Sequence, residues 1–207
     1  MVVRSLAPLF NLLNRCFMDK EKIIRDAESE VMPYLLKFYT PGSELFELLL
    51  IHSRQVARKA LTCVEKRNIA LDAASVARAA LLHDIGIVKC NASGIHCMGT
   101  EPYIRHGVLG REMLEPFGLE AEAMVCERHT GSGITALEIE QTQMPLPIRD
   151  MVPVTMLEKL VCYADKFFSK SGDPLKEKSP AKIRVALSRF GSGSLERFDA
   201  LHAMFGY

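Results

Sequence analysis

The sequence predicts an all-α chain, a helical bundle, and three observations predict it. Apolar residues recur at helical spacing nearly throughout, and no segment shows a convincing two-residue alternation. Gly and Pro sit in short clusters that punctuate these segments rather than interrupting them. Of the six histidines, His52, His83, His106 and His129 fall on separate predicted helices or at their ends, as a bundle that gathers side chains at one interior point requires.

The elements follow in chain order. Residues 1 to 18 carry Arg4 and Arg15, no acid, and the apolar set Leu6, Leu9, Phe10, Leu12, Leu13 and Phe17. No long apolar run or small-residue cleavage site follows, so they read as an extra helix, or as residues upstream of a true start at Met18. Residues 19 to 38 carry Ile23, Ile24, Ala27 and Val31, with Pro33 expected to kink or divide the segment. After Pro41 and Gly42, Ser43 can cap a long helix to about residue 66, with His52 in its middle. Asp72 is a natural cap for a helix from Ala73 to Ile85, with Gly86 as its stop and His83 and Asp84 in its last turn.

Residues 87 to 105 read as an irregular loop, and a loop of that length in a small domain is often functional. Helices are expected over about 106 to 115 and 119 to 129, the second ending on His129. Thr155-Met156-Leu157-Glu158 fits a capping box that opens a helix through about Phe168, with Asp165 near its end. Ser179-Pro180 starts a helix to Phe190, stopped by Gly191, and a terminal helix covers 194 to 205. The expected organisation is one domain: an N-terminal helical extension over 1–42, a core over 43–170, and C-terminal helices over 171–207 packed on it.

Composition removes several classes of function. Hydrophobic residues make up 48% and charged residues 25% of the 207, which is neither a disordered nor a membrane composition. No stretch approaches the roughly 18 apolar residues of a membrane span, so a cytoplasmic protein is expected. The net charge of +1 provides no global field for nucleic acid or an anionic membrane, and an anionic substrate has to be held by local groups. The basic run from Lys166 to Arg189 reads as a solvated helix and loop. The cysteines Cys16, Cys63, Cys90, Cys97, Cys126 and Cys162 contain no CxxC pair and read as buried thiols. Gly131-Ser132-Gly133 lacks the surroundings of a GxSxG elbow, and no GxxxxGK phosphate loop is present.

The chemistry-bearing set is His52, His83, Asp84, His106, His129 and Asp165. Imidazole with carboxylate suits a divalent ion such as Mn, Fe, Co, Ni or Zn. Each member also has a plain alternative: a histidine bonded to a backbone carbonyl, Asp165 paired with a neighbouring Lys, Asp84 as a helix-end acid. Asp84 sits badly at the negative end of a helix dipole, and Asp165 lies among Tyr163, Ala164, Phe167 and Phe168, where an unpaired carboxylate is costly. A cation resolves both conflicts. A carboxylate has two oxygens, so Asp84 could bridge two ions while His83 holds one.

The ordered set His52, His83-Asp84-Ile85-Gly86, Arg105-His106-Gly107, Glu127-Arg128-His129 and Ala164-Asp165-Lys166 resembles the HD-domain superfamily of metal-dependent phosphohydrolases, over roughly residues 45 to 170. The resemblance implies an HD-like helical bundle. It is closest to a subgroup with two extra histidines, which includes small HDIG proteins and enzymes that cleave bis-nucleoside tetraphosphates. It implies one ion on His52, His83, Asp84 and Asp165, and a second on Asp84, His106 and His129. Asp84 and His83 would be the catalytic pair, and a bridging water would attack phosphorus. Ile87 and Val88 intervene where a lysine commonly follows HDIG, and the Gly-Tyr-Pro of cyclic-di-GMP phosphodiesterases is missing after His129.

Arg54, Lys89, Arg105, Arg128 and Lys166 are candidate phosphate-binding residues, each with the alternative of a surface charge. His96 could protonate a leaving group or stand as a plain loop residue. His202 receives no role. The expected partner is a small phosphorylated substrate such as a nucleotide, without nucleic acid or membrane, and a homodimer is the oligomer to look for. Two other readings stay open: a mononuclear nucleotidase, and a non-catalytic module that holds a nucleotide.

Overall fold

Capped amphipathic helices build the molecule. A computed structural model describes residues 18–207, and the expectations for the extra N-terminal helix and for Cys16 lie outside the described residues. Among the described residues there are nine α-helices and one small three-stranded sheet. Helix α1, Lys20–Leu35, is capped by the Asp19 carboxylate, which accepts from the Lys22 amide, and it buries Ile24, Ala27, Val31 and Leu35. Pro33 does not divide it. The helix runs two residues past the proline, whose missing N–H costs one hydrogen bond in a turn that is ending anyway.

Helix α2, Glu44–Arg67, is the central rod. Ser43 accepts from the Phe46 amide, Glu44 and Glu47 lie at the positive end of the dipole, and Lys66 and Arg67 lie at the negative end. Asn68 closes it with φ of 50°. Its buried face includes Leu49, Val56, Ala60, Leu61 and Val64, each leucine contributing about 1.5–3 kcal/mol by burial. His52 and Ser53 lie in the same buried face.

Helix α3, Ala73–Leu82, starts on Asp72, which accepts from the Ser75 amide at 2.8 Å. It stops three residues before the expected end at Ile85. Asp84 has φ −107° and ψ 10°, in the sparsely allowed bridge between helix and strand where many active-site residues sit. A tight 3-10 segment, Ile85–Lys89, follows. Gly86 is therefore no helix stop. A Cβ there would lie 2.1 Å from the His106 carbonyl oxygen, so the glycine is what lets this segment touch the next helix.

The stretch expected as irregular loop contains the sheet: β1 (Cys90–Ala92) between β2 (Cys97–Met98, antiparallel) and β3 (Glu101–Pro102, parallel). Strands of two and three residues are too short to print a period-2 signal in sequence. Helix α4, His106–Leu114, and helix α5, Glu120–Arg128, then pack closely; a Cβ on Gly107 would meet the Cys126 carbonyl oxygen at 2.6 Å.

Helix α6, Ala136–Thr142, had no counterpart among the sequence expectations, although Thr135 and Glu138 form a complete capping box. It sits with Val108, Ile134, Leu146 and Met151 in a small second apolar cluster. Helix α7, Met156–Asp165, packs on α2 and carries Asp165 at its last position. Its start departs from the expected box: Thr155 Oγ1 accepts from the Glu158 amide, but Glu158 accepts from the Val154 amide rather than that of Thr155. Helix α8, Pro180–Leu187, and helix α9, Ser192–Phe205, complete the chain, with Tyr163 of α7 packed against Phe198 and Phe205 of α9. No helix among the described residues is long and apolar enough to cross a membrane.

Candidate metal centre

Five segments converge on one buried point. His52 comes from mid-α2, His83 and Asp84 from the end of α3, His106 from the first residue of α4, His129 from the end of α5 and Asp165 from the end of α7. His52, His83 and Asp84 are fully buried, and His106, His129 and Asp165 nearly so. Asp84 stands at the centre. Its Oδ2 lies 3.2 Å from His52 Nε2 and 2.9 Å from His83 Nε2; its Oδ1 lies 3.5 Å from His106 Nε2 and 3.4 Å from His129 Nε2. Asp165 Oδ1 is 2.9 Å from His52 Nε2 and 3.5 Å from His83 Nε2.

Three rings are held by the same device. His83, His106 and His129 each place Nδ1 2.7 Å from the carbonyl oxygen three residues earlier, of Ala80, Tyr103 and Cys126. Nδ1 must donate in such a bond, so Nε2 of each ring faces the cluster and carries a lone pair wherever the ring is neutral. The plain alternative for a histidine and the ligand role therefore hold together. His106 Nε2 and His129 Nε2 then face one another at 3.1 Å with a lone pair each, an arrangement that a cation or a proton between them relieves; the Thr130 hydroxyl lies 3.5 Å from His106 Nε2. Burial first, and His129 second, push the His106 imidazolium down to about 3, so a proton is a poor occupant. Burial lowers His129 as well.

The other side is charged. Burial works against the His83 imidazolium, but Asp84 and Asp165 outweigh it and hold it up to about 9. Burial also opposes both carboxylates, yet His83 and Lys170 keep Asp84, and Lys166 and Lys170 keep Asp165, well below the usual carboxylate range. Despite these neighbours, both oxygens of Asp84 and Nε2 of His83 make no hydrogen bond of acceptable geometry. Buried polar atoms left this way are expensive. The donor set fits a divalent ion, and two groups satisfy the spacing: His52, His83, Asp84 and Asp165, and Asp84, His106 and His129.

Of the candidate phosphate-binding residues, only Lys166 reaches the cluster, with Nζ 2.7 Å from Asp165 Oδ2 and 3.1 Å from the His129 carbonyl oxygen. The structure places the others elsewhere. Arg54 makes a bidentate pair with Glu28 at 2.6 Å, Arg105 pairs with Glu101 and Arg128 with Glu158. Lys89 is exposed beside a groove of about 610 Å³ that includes Phe38 and Phe117, and none of the six cluster residues lines it. His96 pairs with Glu44 at 3.1 Å, away from the cluster.

Lys170 escaped the sequence reading. Its Nζ lies 2.5 Å from Asp84 Oδ2, and its side chain is 13% exposed. Burial opposes its charge, but Asp84, then Tyr103 and Asp165, hold the ammonium above its usual range. Tyr103 also stacks on His106, with ring centroids 4.8 Å apart. The five described cysteines are free and buried, and burial pushes the Cys63, Cys97 and Cys162 thiols up to about 11. None is an activated nucleophile.

Fold and cluster together define an all-helical domain whose buried His/Asp group could hold metal ions. Residues 49–169 match the HD domain, and the chain belongs to that family, whose members bind divalent metals. A tRNA (cytidine(56)-2'-O)-methyltransferase of Picrophilus torridus is 35% identical over 124 residues, 59% of this chain and 32% of the relative. A protein with the same name from Thermoplasma volcanium is 30% identical over 151 residues, 72% of this chain and 38% of the relative. An uncharacterised protein of Methanocaldococcus jannaschii is 34% identical over 103 residues, covering 49% of this chain and 53% of the relative. The chain thus spans about a third to a half of the length of these relatives. No solved structure matches it.

Proposed function

We propose that this chain is a metal-dependent phosphohydrolase that cleaves a phosphate ester or anhydride of a nucleotide or other small molecule at a dinuclear site. The observation that carries this reading is Asp84, one buried carboxylate whose two oxygens each face a separate ligand group. His52, His83, Asp84 Oδ2 and Asp165 would hold one ion, and Asp84 Oδ1, His106 and His129 the other. Such ions supply an acidified water near neutral pH and neutralise charge on phosphoryl oxygens.

The chain's own residues do the remainder. Carbonyls 80, 103 and 126 fix the three rings so that little reorganisation accompanies reaction. Lys166, anchored on the His129 carbonyl, adds positive charge at the rim. No protein nucleophile is required. Methyl transfer is not carried over from the two named relatives, because the matched stretch is only about a third of each, whereas the His/Asp cluster lies in the residues that match the HD domain.

A panel of mononucleotides, dinucleoside polyphosphates and sugar phosphates, supplemented in turn with Mn, Fe, Co, Ni and Zn, tests the reading, with Asp84→Ala as the blank. Release of phosphate or nucleotide by the wild type and none by Asp84→Ala is expected. Turnover that persists in Asp84→Ala, or a folded, metal-loaded wild type inert on every phosphate ester, contradicts it.

A further inference from the structure

Lys166 and Lys170 lie four residues apart in the non-helical segment just beyond α7, and each covers one of the two carboxylates of the cluster: Lys166 Nζ on Asp165 Oδ2 at 2.7 Å, Lys170 Nζ on Asp84 Oδ2 at 2.5 Å. Both side chains are close to nine-tenths buried. With the imidazoles neutral, as metal ligands must be, the chain balances its own two negative charges with two positive ones. Every divalent ion that enters therefore adds two positive charges that no residue of the cluster offsets, and buried charge without a partner is costly. With two ions the excess is four charges; an acidified water offsets part of it, and the substrate's phosphate has to offset more. A phosphodiester brings one negative charge and an ionised phosphomonoester brings two.

The two lysines are not equivalent. Lys166 is also tied to the His129 carbonyl oxygen at 3.1 Å, whereas Lys170 is held by Asp84 with the Tyr103 side chain beside it and, among the described residues, by no backbone carbonyl in the same way. An ion on Asp84 Oδ2 would repel the Lys170 ammonium from its present place, and its four-carbon stem lets it swing to a phosphoryl oxygen nearby. The next residue, Ser171, lines a depression of about 240 Å³ with Ala92, Gly94, Ile95 and Tyr103. None of the six cluster residues lines that depression; Tyr103 does, and it stacks on His106, so one ring stands between the depression and the cluster.

We infer that this site selects dianionic phosphomonoesters over phosphodiesters, and that Lys170 binds the substrate phosphate and makes the distinction. The inference rests on the phosphohydrolase reading, but part of its test does not need turnover.

The full-length chain loaded with Mn would be titrated with inorganic phosphate by calorimetry, as wild type, Lys170→Met and Lys170→Arg, with metal content checked in each. The three proteins would then be assayed on 4-nitrophenyl phosphate and bis(4-nitrophenyl) phosphate. Phosphate affinity is expected to fall about tenfold or more in Lys170→Met and to be largely restored in Lys170→Arg, since the charge-assisted bond is what is lost. The wild type is expected to prefer the monoester, and Lys170→Met to lose more kcat/KM on the monoester than on the diester. Equal phosphate binding by Lys170→Met and wild type, an equal loss on both esters, or a wild-type preference for the diester would overturn it. If neither ester is cleaved, the phosphohydrolase reading is decided separately by the nucleotide and sugar-phosphate panel, and the phosphate titration alone decides the role of Lys170.

Discussion

On the Oδ2 side of Asp84 lie His52, His83, a second carboxylate in Asp165, and two lysines; on the Oδ1 side lie His106 and His129, with the Thr130 hydroxyl 3.5 Å from His106 Nε2. The first half is charged and has cations in place whether or not an ion is bound. The second is two imidazoles that burial keeps uncharged, pressed together at 3.1 Å, sharing the one carboxylate. The first half offers an ion four ligating side chains, two of them carboxylates, and the second offers three, its one carboxylate shared. The halves should therefore fill and empty separately, the second being the weaker.

The joint between them is the first place to break. Gly86 follows Asp84 by two residues and abuts the His106 backbone, so Gly86→Ala puts a methyl group 2.1 Å from that carbonyl oxygen and forces α4 outward. A loss of about 1–3 kcal/mol or more is expected, read as a lower thermal midpoint, with the second half disturbed more than the first. A midpoint equal to wild type would show that the close approach is not rigid.

Glu158 and Arg128 link the halves from outside, joining the start of α7 to the end of α5 at 2.9 Å. Burial raises the Glu158 carboxyl, but the Val154 amide and Arg128 outweigh it and leave it below its ordinary value of 4.5. A carboxyl lowered in the folded state adds stability above its unfolded value, and that stability is lost as pH falls through the folded value. Glu158→Gln should cost about 1–3 kcal/mol at neutral pH, and the gap to wild type should narrow as the pH falls below the ordinary carboxyl value of 4.5. A gap that does not change with pH would place the loss in packing instead of charge.

Arg54 gives the smallest effect. Its pair with Glu28 is part-exposed, so Arg54→Met should change stability by about 0.2–1 kcal/mol and leave KM alone. A raised KM would return Arg54 to the substrate site.

The contrast between the halves also marks what sequence can and cannot carry. Histidines and aspartates inside apolar helices stand out, because a helix face dictates where they point; His52, His83, Asp84, His106, His129 and Asp165 could be picked out and are brought together. Basic residues do not stand out in this way. Arg54, Arg105, Arg128 and His96 are paired with Glu28, Glu101, Glu158 and Glu44, acids supplied by separate turns or elements of the fold. Lys170 was hidden in a basic run that reads as a solvated surface, and only the return of that segment over Asp84 sets it apart. The missed sheet was too short to alternate, whereas α6 did carry a legible signal in Thr135 and Glu138.

Metal counting tests the central claim most directly. Protein saturated with Mn or Fe and freed of excess ion would be analysed for metal per chain in wild type, His106→Ala, His129→Ala and Asp84→Ala. The two-half account predicts two ions in the wild type, one in each histidine variant and a loss from both halves in Asp84→Ala. One ion in the wild type, with content unchanged in His106→Ala and His129→Ala, would contradict it.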